Sequence, residues 1–94
     1  MFGLSKEIYS KILEIVNKYK REFYIFGSRA KNTYKNTSDI DIAVDGPINY
    51  DEEMSIRNDF DMLDIPYTID IVFIKKIEKE TLLQAIKKEG VRIG

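Results

Sequence analysis

Apolar residues recur at three- and four-residue intervals from about Ser5 to Lys20. Ile8, Ile12, Ile15, Val16 and Tyr19 share one face, and Lys6, Lys11, Glu14 and Lys18 fill the other. That spacing predicts an amphipathic helix with Ser5 as its N-cap. Glu22 to Phe26 is a short aromatic and β-branched run stopped by Gly27-Ser28, which predicts a buried strand entering a tight turn. A short helix is expected from Ser28 to about Tyr34, followed by turn residues Asn36-Thr37-Ser38. Asp39 to Asp45 alternates strictly and reads as a second strand ended by Gly46-Pro47. Asp51 to Leu63 then reads as a helix with acids in its first turn, where the helix dipole favours them. Met54, Phe60 and Leu63 are its expected inward residues. Tyr67 to Ile74 is the most hydrophobic strand, and Glu78 to Glu89 a last helix closed by Gly90.

The order α-β-α-β-α-β-α predicts an α/β (α+β) fold, a small sheet of about three strands covered by helices. Strand directions stay open at this level. The chain has 94 residues, no internal repeat and no linker-like stretch, so a single domain over residues 1–94 is expected. No apolar run is long enough to span a membrane, and the first residues lack the pattern of a secretory signal, so a cytoplasmic protein is expected.

Composition narrows the chemistry. There is no cysteine and no histidine. Thiol nucleophiles, disulfides, Ser-His triads, imidazole acid–base chemistry and zinc-finger sites are therefore excluded, leaving carboxylates, hydroxyls, lysines and arginines. The net charge of −1 hides a segregation. Residues 1–37 carry eight basic and three acidic side chains, residues 38–70 carry ten acids against Arg57 alone, and residues 71–94 carry six basic against three acidic. Such blocks suit a divalent-cation site beside a polyphosphate site, although composition alone favours solvated helix faces.

The informative stretch runs from Gly27 to Asp41, GSRAKNTYKNTSDID. Gly27 at a strand end permits a tight turn and a close backbone approach, and Ser28 places a hydroxyl and helix-opening N–H groups where an anion can be held. The same dipeptide also suffices merely to turn the chain and cap a helix. In the second strand Ile40, Ile42 and Val44 share one face, with Asp39, Asp41, Ala43 and Asp45 on the other. Aspartate is depleted in strands, so two beside an apolar stripe break a local rule, as functional sites tend to do; a solvated strand face is the competing explanation. The third strand repeats the pattern, with Asp70 opposite the Ile69, Ile71 and Phe73 face. If these strands pair, Asp70 joins Asp39 and Asp41, and three hard oxygen donors suit Mg²⁺ or Mn²⁺.

Gly-Ser, ten residues, Asp-x-Asp and a later strand aspartate resemble the signature of the polymerase-β-like nucleotidyltransferase superfamily. The form Gly-Ser-Arg-Ala with Ser-Asp-Ile-Asp, and the ending Ile86-Lys87-Lys88-Glu89-Gly90-Val91, is similar to its minimal nucleotidyltransferase (MNT) family. The chain departs from that family at Lys31-Asn32, where Arg-Gly is common, and at its Arg92-Ile93-Gly94 end, where an aromatic ending is usual.

The resemblance implies a polymerase-β-like fold and transfer of a nucleoside monophosphate from ATP, with release of pyrophosphate. By resemblance Asp39, Asp41 and Asp70 are catalytic metal ligands for two Mg²⁺ ions, Mn²⁺ being possible, with Asp70 also a proton acceptor. Gly27, Ser28 and Arg29 would bind phosphate, with Lys31 and Lys35 as further candidates. It further implies an antitoxin that adenylylates a tyrosine on a HEPN-domain ribonuclease toxin, in a hetero-oligomer with that partner. Two alternatives stay open: an antitoxin that acts by occlusion alone, and transfer to a small molecule or nucleic acid. Direct nucleic-acid binding has no continuous basic stripe or aromatic platform to support it.

Overall fold

A computed structural model describes residues 1–94. Its elements are α1 (Lys6–Val16), β1 (Glu22–Phe26), β2 (Ile40–Asp45), α2 (Tyr50–Asp61), β3 (Ile69–Phe73), a 3₁₀ turn (Ile74–Lys76), α3 (Glu80–Glu89) and β4 (Val91–Ile93). The sheet order is β3-β2-β1-β4, with β2 antiparallel to β1, parallel to β3, and β4 antiparallel to β1. The mixed α/β class agrees with the expectation from pattern, and the strand directions are now settled.

Alternation along each strand decides what each face of the sheet meets. Phe23, Ile25, Ile40, Ile42, Val44 and Phe73 are buried with Ile12, Ile15 and Val16 of α1 and Ile56 and Phe60 of α2. This is the main core, formed because two amphipathic helices cover one sheet face. Ser5 caps α1 as expected, its hydroxyl accepting from the Ile8 N–H at 3.2 Å. Asn49 caps α2, its side-chain oxygen accepting from the Glu52 N–H at 2.8 Å. On the opposite face Phe26, Ala43 and Ile86 form a smaller cluster, with Tyr24, Val72 and Leu82 packed on it. Helix α3 therefore covers only part of that face.

Three expectations are corrected. No helix follows Ser28: the segment is a series of turns closed by Lys31 N–H to Gly27 C=O at 3.1 Å and Thr33 N–H to Ser28 C=O at 2.9 Å, with Asn32 at φ 63°. The left-handed Asn32 breaks the helical path after one turn. A fourth strand follows Gly90, where Val91–Ile93 pairs with β1 and buries Ile93. Three residues are too few to show alternation, so only the free edge of β1 reveals them. In α2 Phe60 is buried as expected, but its inward companion is Ile56, while Met54 is 43% exposed. No helix is long and apolar enough to cross a membrane.

Candidate active site

The acids lie at one end of the sheet face opposite the main core. Asp41 and Asp70 are direct partners across the parallel β2–β3 pair, and Phe26, the last residue of β1, faces Asp41 on the other side. Asp39 precedes β2 by one residue and Asp41 by two. Their side chains share the sheet face opposite the main core, since the intervening Ile40 is fully buried within it. Asp39 and Asp70 are exposed and Asp41 is half-buried. The topology thus sets the three aspartates singled out in the sequence on one face of the sheet.

Gly27 lies beneath this acid pair. Its φ is +74°, a left-handed conformation that glycine adopts without strain, and a Cβ at this position would collide with the Asp41 Oδ2 atom. The carboxylate of Asp41 therefore occupies the space that the missing side chain leaves. Ser28 follows, half-buried, at the start of the turns. Gly27 and Asp41 thus lie against each other, although they are separated by the whole turn segment.

Electrostatics mark Asp41 as the unusual group. Burial pushes its carboxyl above the ordinary aspartate range, and the charges of Asp70 and then Asp39 push it further in the same direction. None of the eight ion pairs in the molecule includes Asp39, Asp41 or Asp70. Adjacent carboxylates without a counter-charge are costly unless a cation is supplied from outside. As placed, the side chains do not gather three carboxylates around one point. The donor chemistry nevertheless fits a hard divalent cation: oxygen ligands only, mutually repelling, and open to solvent and to a phosphate-bearing substrate.

Arg29 is not where a phosphate ligand is expected. It is 2% exposed, its Nε and Nη2 donate to the Ser38 carbonyl at 3.2 and 2.8 Å, and its Nη1 donates to the Phe2 carbonyl at 2.9 Å. The guanidinium is also stacked against the rings of Tyr67, 4.6 Å to the centroid, and Tyr34, 5.2 Å. The expected direct phosphate contact is thus replaced by an internal tie between the turn after β1 and the residue before Asp39. Tyr34, Tyr67 and the Ser38 carbonyl escaped sequence reasoning because nothing local signals that distant aromatics will enclose an arginine. Lys31 reaches Glu89 of α3 at 3.8 Å, and Lys35 is exposed on the turn segment.

Comparison with known proteins agrees with this geometry. Among solved structures, a toxin–antitoxin crystal structure with AMP-PNP superposes with a TM-score of 0.67 at 24% identity, covering 89% of this chain and 70% of that one. The MntA–HpeT toxin–antitoxin in a doubly substituted mutant form gives 0.64 at 21% identity, with the same coverage. A Sulfolobus solfataricus protein assigned as a nucleotidyltransferase gives 0.53 at 24% identity, over 93% of this chain and 76% of that one. No curated protein matches the sequence. The family described as "Polymerase beta, Nucleotidyltransferase" matches residues 10–94, nearly the whole chain. A match over residues 10–94 places this chain in the polymerase β nucleotidyltransferase family, to which it belongs.

Proposed function

We propose that the protein is an antitoxin that transfers AMP from ATP to a tyrosine hydroxyl of a HEPN-domain ribonuclease toxin and so silences it. The observation that carries the reading is Asp41 facing Asp70 across parallel strands, with Gly27 vacating the space beside Asp41. The toxin–antitoxin setting and the ATP analogue of the structural neighbours support the choice of partner and nucleotide.

Asp39 and Asp41 would hold two Mg²⁺ ions on this reading, with Asp70 completing the set. Such ions would supply charge neutralisation for the triphosphate and a lowered pKa for the acceptor hydroxyl. The chain's own residues do the remaining work. The Gly27-Ser28 turn presents backbone N–H groups and a hydroxyl toward the β- and γ-phosphates, and the open face admits the acceptor from a second protein. The acceptor oxygen forms a bond to the α-phosphorus as the bond to pyrophosphate breaks. Its proton passes to a carboxylate, with Asp70 the candidate acceptor and no histidine present to compete.

Intact-mass spectrometry of the partner toxin after incubation with ATP and Mg²⁺ tests the reading, with an Asp39→Ala/Asp41→Ala control. One or more AMP increments on the toxin, absent with the control, are expected. An unmodified toxin that is still bound and inhibited would favour occlusion, and an unmodified, unbound toxin would sink the proposal.

A further inference from the structure

The largest cleft in the molecule, about 550 Å³, lies away from the acid face. It opens at the other end of the same strands, where Glu22 begins β1 and Asp45 ends β2, a cross-strand pair. Asp45 lies four positions beyond Asp41 along β2, about 13 Å away. The lining is mainly polar, and four cations converge on it: Lys20, Arg21, Lys75 and Arg92. The first two come from the basic N-terminal third and the last two from the basic C-terminal quarter, so folding joins the two basic blocks here.

The cations are incompletely answered from within the chain. Lys20 takes part in no ion pair. Lys75 approaches Asp45, and Arg92 approaches Glu22, only to 3.9 Å, with both cations more than 60% exposed. The two acids are engaged elsewhere: Asp45 accepts from the Gly46 N–H at 2.9 Å, and Glu22 accepts from the Tyr24 hydroxyl at 2.5 Å.

Arg21 is built in rather than loose. Its Nη2 donates to Glu52 at 2.8 Å and to the Pro47 carbonyl at 3.2 Å, and Nη1 donates to the Lys20 carbonyl at 2.9 Å. A Cβ on Gly46, whose φ is +122°, would press against the Arg21 stem. Arg21 Nε is the sole buried side-chain nitrogen or oxygen in the molecule without a hydrogen-bond partner. That nitrogen lies buried behind the wall of the cleft, so the cations that face solvent within it are Lys20, Lys75 and Arg92.

We infer that this cleft is a second binding site, separate from the acid face, for an oligophosphate anion. Its polar lining excludes an apolar ligand, and its volume falls within the range of small-molecule sites. Clustered lysine and arginine donors suit several phosphate oxygens at once. The source is either the pyrophosphate end of the chemistry or a free nucleotide, and both present the same anhydride-linked phosphates.

The inference does not depend on nucleotidyl transfer, and its test needs none. The full chain is titrated with tripolyphosphate, pyrophosphate and ATP at about 0.15 M salt without divalent metal, followed by amide chemical shifts. Saturable shifts at residues 19–22, 45–47, 75 and 91–94 are expected, weakening about tenfold for each cation lost in Lys20→Gln and Lys75→Gln. Preference for ATP would name a nucleotide as the ligand, and equal binding of all three would name the phosphate chain alone. Absence of saturable binding, or shifts confined to Gly27–Asp41 and untouched by those substitutions, would overturn the inference. Both lysines are exposed, so folding is not at stake, and the thermal midpoint of each variant confirms it.

Discussion

The Asp41 carboxylate fills the space where a side chain on Gly27 would lie, so that one residue's lack of a Cβ sets the position of the other's charge. Gly27→Ala therefore does two things at once. It forces a left-handed φ on a residue with a Cβ, and it displaces Asp41. We expect a loss of about 1–2 kcal/mol in stability and a fall of about 100-fold or more in nucleotidyl transfer. Thermal unfolding and a transfer assay read the two effects separately. Full activity in a folded Gly27→Ala protein would show that the contact is incidental.

Asp41→Asn tests the electrostatic strain of the acid face. Burial and two neighbouring carboxylates disfavour its charge. Removing that charge should raise the stability of the metal-free protein by about 1 kcal/mol while cutting transfer by about 10³. Denaturant unfolding without metal gives the first number. A destabilised variant would mean that Asp41 holds the fold together rather than straining it.

Arg29 ties the first turn to the second strand through Ser38. Arg29→Met leaves the Ser38 and Phe2 carbonyls without their donors and should cost about 3 kcal/mol. Arg29→Lys keeps the charge but loses the fork, so most of that cost should persist. Because Ser38 immediately precedes Asp39, transfer should fall in any Arg29→Lys protein that remains folded. Wild-type unfolding and activity in Arg29→Lys would refute the positioning role.

Two carboxylates on α2 give the acid limb of stability. Lys76, through a hydrogen bond, holds Glu53 below its ordinary range; burial works against this and Arg57 assists. At Asp59 burial would raise the carboxyl, but the Tyr19 hydroxyl at 2.5 Å and the Lys18 ammonium at 2.9 Å outweigh it and the net shift is downward. Each folded value lies below its unfolded one, so the unfolded chain binds more protons in between. Their contribution is fully present above the unfolded values, near pH 4, and is lost as pH falls through the folded ones. Unfolding followed from pH 6 to pH 2 should show this loss, and Asp59→Asn should make it shallower. A parallel pH profile in Asp59→Asn would remove Asp59 from the account.

Much of the candidate site was legible along the chain because its parts lie on strands, where a period of two reports directly which face a residue occupies. Ile40, Ile42 and Val44 declared the buried face, and Asp39, Asp41 and Asp70 therefore declared the other. The turns after Ser28 were less legible, because Ala30 to Lys31 carries no helix-breaking residue and the departure is made by Asn32 in a left-handed conformation. Arg29 was expected as a phosphate ligand only through the family resemblance, and no local pattern spoke against it. Only the approach of Tyr34 and Tyr67 from remote segments encloses it.

Local pattern alone determined the class of the fold, the faces of the strands, the absence of thiol and imidazole chemistry, and the acids that carry the charge. These depend on side-chain identity and periodicity, which are properties of neighbours in the chain. Tertiary structure alone decided that β2 and β3 run parallel with Asp41 opposite Asp70, and that β4 closes the free edge of β1. It also made Arg29 internal and brought Lys20 and Arg92 to one cleft. Each of these depends on pairings between segments far apart in sequence, whose energies arise only when the chain is closed on itself.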